Sequence, residues 1–405
     1  MWNRTSEPLA ANNTRNSVEF TYTTSGTLQN VTGNMSVPEG CPPVRFGEME
    51  FLPWDNPDNI VTAEVENIVR RVKDTLLFIM FLIGGPANII NMAVYYKQGL
   101  KERVNLCLFA LSLADELYLI QVMFLFGEQI HLQFTTQERY GPVVRFMANN
   151  NLVGFFAFSF VSQILSAIIA SERCLCVLSP LRFQTLLQTR PMAVIIAAVY
   201  VVPLGFYFVM ATRYRIACVF DLTSESVVYI GATSEFYRNH EKLINYLDSF
   251  VYGAGIPVVV IVVMTTATII TAIKIRRAAA WRAGTSSANG RSLSSASSPF
   301  SPKELVLTRM LIGVAVLFIV CISPLALFRI VSLFLPDMNI GGRYHNLYLT
   351  RHSIAETLSY ANATFNIFVY YTMGLRYRET FWGLLGRKRR DKATGKPSMT
   401  KTRNK

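Results

Sequence analysis

Seven apolar stretches, each about as long as a membrane-spanning helix, follow one another between residues 74 and 374. A helix needs ~20 predominantly apolar residues to cross ~30 Å of hydrocarbon. The segments that join the stretches are short, except for residues 213–245 and 276–304. The pattern predicts an all-α membrane protein, a seven-transmembrane helix bundle over 74–374, with spans at about 74–97, 104–127, 145–176, 190–212, 246–275, 305–335 and 351–374.

Three other segments have their own patterns. Residues 375–386 alternate apolar Phe381 and Trp382 with charged Arg376 and Glu379, which predicts a short amphipathic helix on the inner leaflet. Residues 387–405 are a basic cytoplasmic tail that anionic lipid would attract, so membrane lipid is an expected partner. Residues 276–304 include a run rich in Ser, Gly and Pro, and are predicted to be a disordered third cytoplasmic loop.

The polar segment before the first stretch, residues 1–73, is predicted to be an extracellular tail. Four Asn-x-Ser/Thr sequons fall within its first 36 residues, and such sequons accept N-linked glycans in extracellular segments. The candidate glycosylation sites are Asn3, Asn12, Asn30 and Asn34.

Charge is distributed unevenly along the chain, and this indicates its orientation. Residues 1–68 have three basic and nine acidic residues, a net charge of −6. Residues 376–405 have eleven basic and two acidic residues, a net charge of +9. Cytoplasmic segments are enriched in Lys and Arg, so we expect a multi-pass protein of the plasma membrane with its N-terminus outside. The asymmetry also argues against nucleic acid as a partner.

The sequence contains no nucleophile elbow, phosphate-binding loop or zinc-protease motif. The four histidines do not cluster, and the six cysteines lack metal-ligand spacing. We therefore expect neither an enzyme nor a tightly bound cofactor. A membrane transporter is a remote alternative, which the lack of an internal repeat disfavours.

Polar side chains inside the apolar stretches need partners, because polar groups are costly in hydrocarbon. Asp115 lies in the second stretch and Ser162 in the third, while Asn362 and Asn366 lie four residues apart on one face of the seventh. One interpretation is a set of hydrogen bonds between helices. The other is that these oxygens hold a sodium ion at Asp115. The two interpretations are compatible.

Each of the seven stretches has a polar or proline position with characteristic spacing. These positions are Asn88, Asn105…Ala114-Asp115, Glu172-Arg173-Cys174 with Pro180-Leu181, Pro203, Pro257, Phe318…Cys321-Ile-Ser-Pro324, Asn366-Ile-Phe-Val-Tyr370 and, after the last stretch, Tyr377-Arg378…Phe381. In order and spacing this set resembles the rhodopsin-like (class A) G-protein-coupled receptors over about residues 74–386. The chain departs from the family pattern at Ile322, where helix six usually has Trp, and at Ile367, where helix seven usually has Pro.

The resemblance implies a receptor that binds an extracellular ligand and activates heterotrimeric G proteins. It implies a resting state in which Arg173 bonds to Glu172 and bridges to Glu304 at the start of the sixth helix. The alternative for Glu304 is a solvated acid that interacts only with the helix dipole. The other positions of the expected G-protein switch are Pro180, Leu181, Asn366 and Tyr370.

The cysteine that usually lies at the outer end of helix three in this family is Ala148 here. Cys218, in the second outer loop, therefore lacks its family partner, and Cys41 is the only other cysteine expected outside the cell. Extracellular cysteines are usually paired in an oxidising compartment, so we predict a Cys41–Cys218 disulfide. Two free thiols are the alternative.

The resemblance also implies a ligand pocket between the outer halves of helices three, five, six and seven. Arg329 and Glu356 would bring a base and an acid into it, which suits a ligand with both charges or with amide groups, such as a neuropeptide. The alternatives are a small chemosensory molecule, and an Arg329–Glu356 pair that only neutralises itself. The candidate ligand-binding residues are Asn151, Phe155, Phe156, Asp248, Arg329, Glu356 and Tyr360.

Overall fold

The computed structural model describes residues 41, 43–44, 59–134, 157–179, 188–221, 226–288, 302–335, 337–338 and 343–386. Within these ranges the chain is mainly helical. The first four helices are α1 (Ala63–Gln98), α2 (Arg103–Phe134), α3 (Ala157–Leu178) and α4 (Thr189–Ala211). The four predicted glycosylation sites lie outside the described residues.

The fifth span is a continuous helical rod with three parts. Helix α5 (Glu235–Tyr246) leads into a π-helical segment (Leu247–Gly255), which continues as α6 (Ile256–Ala288). The N–H of Ile256 bonds to the carbonyl oxygen of Val251, the five-residue step that defines a π turn. Gly255 allows this tight turn, because a Cβ there would lie 2.7 Å from the carbonyl oxygen of Phe250.

Three more helices complete the described chain, namely α7 (Pro302–Phe334), α8 (His345–Met373) and the short α9 (Leu375–Leu384). Helices α1, α2, α3, α4, α6, α7 and α8 have between 22 and 36 residues, enough to cross a bilayer. Judged by length and composition within the described ranges, five helical segments qualify as spans, which are α1, α3, α4, the α5–α6 rod and α7.

Two segments are more helical than the sequence predicted. Helix α1 begins at Ala63, inside the predicted tail, because the side chain of Thr62 caps it by accepting a hydrogen bond from the N–H of Val65. Helix α6 continues to Ala288, into the loop predicted to be disordered, and its alanine run at 278–280 favours helix. Residues 289–301 of that loop lie outside the described residues.

Helix α3 lies at the centre of the bundle. The neighbouring pairs α1–α2, α2–α3, α3–α6, α6–α7, α7–α8 and α8–α1 close a ring, while α4 packs outside against α3 and α2. Of the 22 residues of α3, 15 are buried, which is far more than one helix face. Helix α3 therefore packs against its neighbours on several sides.

Gly84 lets α1 approach both α2 and α8. A Cβ at this position would lie 2.7 Å from Cδ1 of Leu119 and 2.8 Å from Oγ1 of Thr364, which is too close for any side chain. Small residues serve this purpose in membrane bundles, where close backbone approach and van der Waals packing replace the hydrophobic effect.

Between α4 and α5 the chain forms a hairpin that also binds the N-terminal segment. Strands β2 (Tyr214–Asp221) and β3 (Ser226–Thr233) pair antiparallel, and the two-residue strand β1 (Pro43–Val44) pairs parallel with β2. The predicted disulfide is present, and it joins Cys41 to Cys218 with 5.0 Å between the Cα atoms. The segment before α1 is thereby attached to this hairpin. We call the side of the bundle where α4 ends and α5 begins the hairpin side, and the opposite side the α9 side.

Helix α9 docks on the bundle through contacts of unequal strength. Arg376 makes two hydrogen bonds to the carboxylate of Glu102, at 2.6 and 3.1 Å, but both side chains are more than half exposed. Tyr377 is 2% exposed and donates its hydroxyl proton to Oδ1 of Asn91 at 2.6 Å. Exposed ion pairs contribute little, so the buried hydrogen bond is the stronger anchor.

Candidate functional site

A buried polar cluster around Asp115 joins α2, α3 and α8. The carboxylate of Asp115 is 1% exposed. It accepts a hydrogen bond from Oγ of Ser162 at 2.6 Å on one oxygen and from Nδ2 of Asn366 at 2.9 Å on the other. Asn362 is also buried, but its Oδ1, like Oδ1 of Asn366, has no hydrogen-bond partner in the described part of the chain. The structure thus brings Asp115, Ser162 and Asn366 together and leaves Asn362 outside their hydrogen bonds.

A second series of hydrogen bonds runs from α8 through α1 to α9. Asn88 donates to the carbonyl oxygen of Ala363 at 3.0 Å, and Asn91 donates to Oδ1 of Asn88 at 3.4 Å. Asn91 also accepts the hydroxyl proton of Tyr377. Sequence reasoning missed Asn91, although it lies three residues from Asn88 on the same helix face, and that spacing was the available signal.

Tyr370, one of the expected switch residues, is fully buried on the α9 side. Its ring meets that of Tyr95 edge-on, with 5.5 Å between centroids, and lies 5.7 Å from the ring of Tyr377. The three rings connect the end of α8 to α1 and α9.

On the hairpin side a narrow cavity of about 30 Å³ lies between α3, the π-helical segment, α7 and α8. We call it the Arg329 cavity. Its polar lining includes Gln163, Arg329, His352, Glu356 and Ser359. Sequence reasoning identified Arg329 and Glu356 but missed Gln163 and His352, because single polar residues in an apolar stretch have no distinguishing pattern.

The acid and the base of this cavity, Glu356 and Arg329, do not pair with each other. Glu356 forms an ion pair with Lys73 of α1 at 3.2 Å, and both side chains are mostly buried. Arg329 is half-buried, and no ion pair or hydrogen bond of its side chain occurs among the described residues. The alternative in which Arg329 and Glu356 neutralise each other is therefore wrong for this structure. Gln163 is 3% exposed, and its Oε1 also has no hydrogen-bond partner among the described residues.

The positions of the other predicted pocket residues are known in different degrees of detail. Tyr360 is fully buried and stacks on Tyr118 with 4.3 Å between ring centroids, so it supports the cavity wall from behind. Asp248 lies in the π-helical segment, and its side chain is not described. Asn151, Phe155 and Phe156 lie outside the described residues.

On the α9 side, Arg173 is held by its sequence neighbour Glu172. Two hydrogen bonds connect them, Nε to Oε2 at 2.5 Å and Nη2 to Oε1 at 2.6 Å. Nη2 of Arg103, at the start of α2, lies 3.9 Å from the same carboxylate, and Sγ of Cys176 donates to it at 3.6 Å. One buried carboxylate thus has two arginine partners.

The expected bridge from Arg173 to Glu304 is not formed. Glu304 is exposed in the first turn of α7, and both described hydrogen bonds of Arg173 go to Glu172. An adjacent buried carboxylate that offers both its oxygens in a bidentate geometry outcompetes an exposed one on another helix. Sequence reasoning missed Arg103 because nothing in its local pattern distinguishes it from other basic residues at a helix start. Pro180 and Leu181 lie outside the described residues.

The Ser162–Asp115 bond predicts a measurable difference between two serines. Replacing Ser162 by Ala removes a donor from a buried carboxylate and should lower the free energy of unfolding by ~1–3 kcal/mol. Ser112→Ala is the matched control, because Ser112 is equally buried but bonds only to the carbonyl oxygen of Leu108 in its own helix. Thermal unfolding of the purified variants in one detergent measures both effects. Equal losses in the two variants would contradict the importance of the Asp115 cluster.

Comparison with known proteins identifies the family of this chain. A search of curated protein sequences finds no match to this chain. The family model described as "7 transmembrane receptor (rhodopsin family)" matches residues 88–370, which include Asp115, Arg173 and Asn366 and extend from the first span to Tyr370 of α8. The match covers more than half of the chain and extends from within α1 to within α8. The chain therefore belongs to the rhodopsin family of seven-transmembrane receptors.

Proposed function

We propose that this receptor lies in the plasma membrane with the hairpin side outside, binds a ligand in the Arg329 cavity and activates heterotrimeric G proteins from the α9 side. Basic residues in the second half of α6 and in the segment after α8 support this orientation, because positive charge marks cytoplasmic segments. The observation that carries the G-protein role is the bidentate Glu172–Arg173 pair at the end of α3. Family membership supports an extracellular ligand and a G protein as partners.

In the proposed resting state, Glu172 keeps Arg173 from other partners, and Arg103 of α2 helps to hold Glu172. A ligand that favours a second arrangement of the helices would release Arg173 toward the G protein. Such a shift needs only a difference of a few kcal/mol in binding between the two arrangements. Asn366 and Tyr370 would transmit it, since both are buried between the Asp115 cluster and α9.

This mechanism makes opposite predictions for two acids. Glu172→Gln weakens the hold on Arg173 and should raise basal nucleotide exchange, where ~1 kcal/mol lost from the resting state corresponds to about a fivefold change. Glu304→Gln should leave basal exchange unchanged, because Arg173 does not contact Glu304. Arg173→Ala should abolish coupling. Exchange is measured with purified receptor and G protein at matched receptor amounts. A rise in the Glu304 variant alone would contradict this mechanism and support a bridge between Arg173 and Glu304.

For the ligand we propose a peptide of the neuropeptide kind with an anionic end group. The guanidinium of Arg329 has no ion-pair partner among the described residues, and it favours a carboxylate, which it would bind through two parallel hydrogen bonds. The buried Oε1 of Gln163 favours an N–H donor, and a peptide terminus offers both groups. The cavity of about 30 Å³ has room for an end group and not for a whole peptide. The same small volume favours, as the second candidate, a small chemosensory molecule.

A library of short peptides, each made with a free C-terminal acid and with a C-terminal amide, tests this assignment. We expect the acid form of an active peptide to lose about 10- to 100-fold in potency in Arg329→Gln, ~1.4–2.8 kcal/mol. The amide form should respond alike in both receptors. Arg343→Gln is the control, because Arg343 is an exposed arginine near the start of α8. Acid and amide forms of equal potency on the unchanged receptor would contradict the carboxylate contact.

We also propose that the Asp115 cluster takes a sodium ion. The residues fit this ion, since Asp115 supplies a carboxylate, Ser162 a hydroxyl, and Asn362 and Asn366 buried amide oxygens without partners in the described part of the chain. Hard cations prefer such oxygen ligands. No group of three or more His, Cys, Asp or Glu side chains suited to a metal occurs among the described residues, so a transition metal is not supported.

The sodium proposal predicts a salt-specific change in stability. Replacing choline chloride by sodium chloride at equal ionic strength should raise the melting temperature of the purified receptor. The rise should vanish in Asp115→Asn, which keeps the shape and removes the charge. An equal rise in both proteins would identify a general salt effect and count against the site.

A further inference from the structure

Glu116 is an acid inside the membrane that takes no part in the Asp115 cluster. It follows Asp115 in α2, and neighbouring residues of a helix point roughly 100° apart, so its side chain turns away from the cluster toward α1. There it lies against Gly85, where a Cβ would be 3.7 Å from Oε1 and 3.8 Å from Oε2 of Glu116. The lack of a side chain at Gly85 thus leaves room for the carboxyl group beside α1.

The carboxyl group of Glu116 has no partner in the part of the chain that the structure describes. Its Oε2 is buried without a hydrogen bond, and neither oxygen has an ion pair there. Asp115, in contrast, receives a donor on each oxygen. An unpaired carboxyl group in hydrocarbon is costly in its charged form, and in its neutral form its O–H also lacks an acceptor. The residue is partly exposed at the surface of the bundle, so a partner from outside the chain has access to it.

The depth of Glu116 limits what that partner is. Gly85, which it contacts, is about midway between Asp74 and Lys97, the charged residues that bound the uncharged run of α1. It is ~17 Å from each of them at 1.5 Å per residue. Helix α1 is long and apolar enough to cross a membrane, which places this level near the middle of the bilayer. A cationic lipid headgroup stays at the membrane surface and does not reach Glu116.

The surface next to Glu116 is apolar and has the periodicity of a helix. Leu82 and Ile89 are each 55% exposed, and with exposed Pro86 they form a stripe along α1. Pro86 has no N–H, so the carbonyl oxygen of Leu82 does not receive its usual helix hydrogen bond and is a second acceptor on this stripe. We call this surface the α1–α2 face, and define it by Leu82, Pro86 and Ile89 of α1 and Leu113, Glu116 and Ile120 of α2.

We propose that the α1–α2 face docks a transmembrane helix of another membrane protein, one with an arginine or lysine near its middle that pairs with Glu116. Charges inside membranes are matched by opposite charges or by backbone carbonyl groups, and this face offers both. An arginine has five N–H donors, enough for the carboxylate and for the carbonyl oxygen of Leu82. The apolar remainder of such a helix would cover the stripe on α1. The site is separate from the Arg329 cavity and does not depend on the ligand.

A synthetic transmembrane peptide tests this face. The probe is a dye-labelled helix of ~21 leucine and alanine residues with one central arginine, and it is mixed with dye-labelled full-length receptor in phosphatidylcholine vesicles. Energy transfer measures their association. The probe should bind about tenfold more tightly than the same peptide with a central leucine, ~1.4 kcal/mol, which is within the range for polar contacts between membrane helices.

Two receptor variants separate the charge of Glu116 from a general polar effect. Glu116→Gln keeps the shape and removes the charge, so the tenfold preference for the arginine peptide should disappear. Ile120→Gln is the matched control, because it places the same amide one turn further along the same face of α2. This variant should keep the preference, and an equal loss in both variants would overturn the proposal.

The unchanged receptor gives a test that needs no variant to fold. Moving the arginine four residues along the peptide, ~6 Å, should abolish the preference, because the cation then lies at the wrong depth. Equal binding of the arginine and leucine peptides would show that Glu116 is a neutral acid without a partner helix. Equally tight binding of a long-chain alkylamine would assign the face to a small amphiphile, and self-association of the receptor that depends on Glu116 would assign it to a second copy. Each of these three results would overturn the proposal.

Discussion

The buried carboxylate of Asp115 constrains the rest of the bundle. Hydrocarbon offers no water to solvate this group, so the protein itself must supply the donors. Ser162 of α3 and Asn366 of α8 do so, each on one carboxylate oxygen. The rotation of α2, α3 and α8 about their axes is thereby set, because a turn of any one helix would remove a donor. Asn88 and Asn91 extend the same restraint through α1 to α9.

The ion pairs at the two ends of the bundle differ in how many basic partners each acid has. On the α9 side the carboxylate of Glu172 pairs with both Arg173 and Arg103. On the hairpin side Lys73 pairs with Glu356, and Arg329 lines the same cavity without an ion-pair partner in the part of the chain that the structure describes. In the proposed function, the first arrangement restrains signalling and the second attracts an anionic group. Both arrangements depend on which charged side chains pair with each other, and not on how many charged side chains are present.

Helix α3 forms a wall of two different cavities. Gln163 lines the polar Arg329 cavity, while Ile168 and Ser171 line an apolar groove between α3, α4 and α6. The π-helical segment contributes to both, since Tyr252 lines the first and Phe250 the second. A π turn inserts an extra residue into the helix and so shifts which side chains face each way. The two cavities thus share both α3 and the π-helical segment.

Much of this protein follows from its sequence alone. Apolar runs of membrane length indicate the fold class, and the spacing of polar residues within them indicates the family. The sequence predicts only two cysteines outside the cell, which leaves one pairing, and Glu172 and Arg173 are neighbours in the chain, so neither contact needed the tertiary structure to be predicted. The tertiary structure decided the partners of Glu356 and Glu172, since Lys73 and Arg103 come from distant parts of the chain. Hydropathy shows that a helix crosses the membrane, but it does not show how each helix is rotated or how closely it approaches its neighbours. Those two quantities determine which buried charges meet, and they are set only when all the helices pack together.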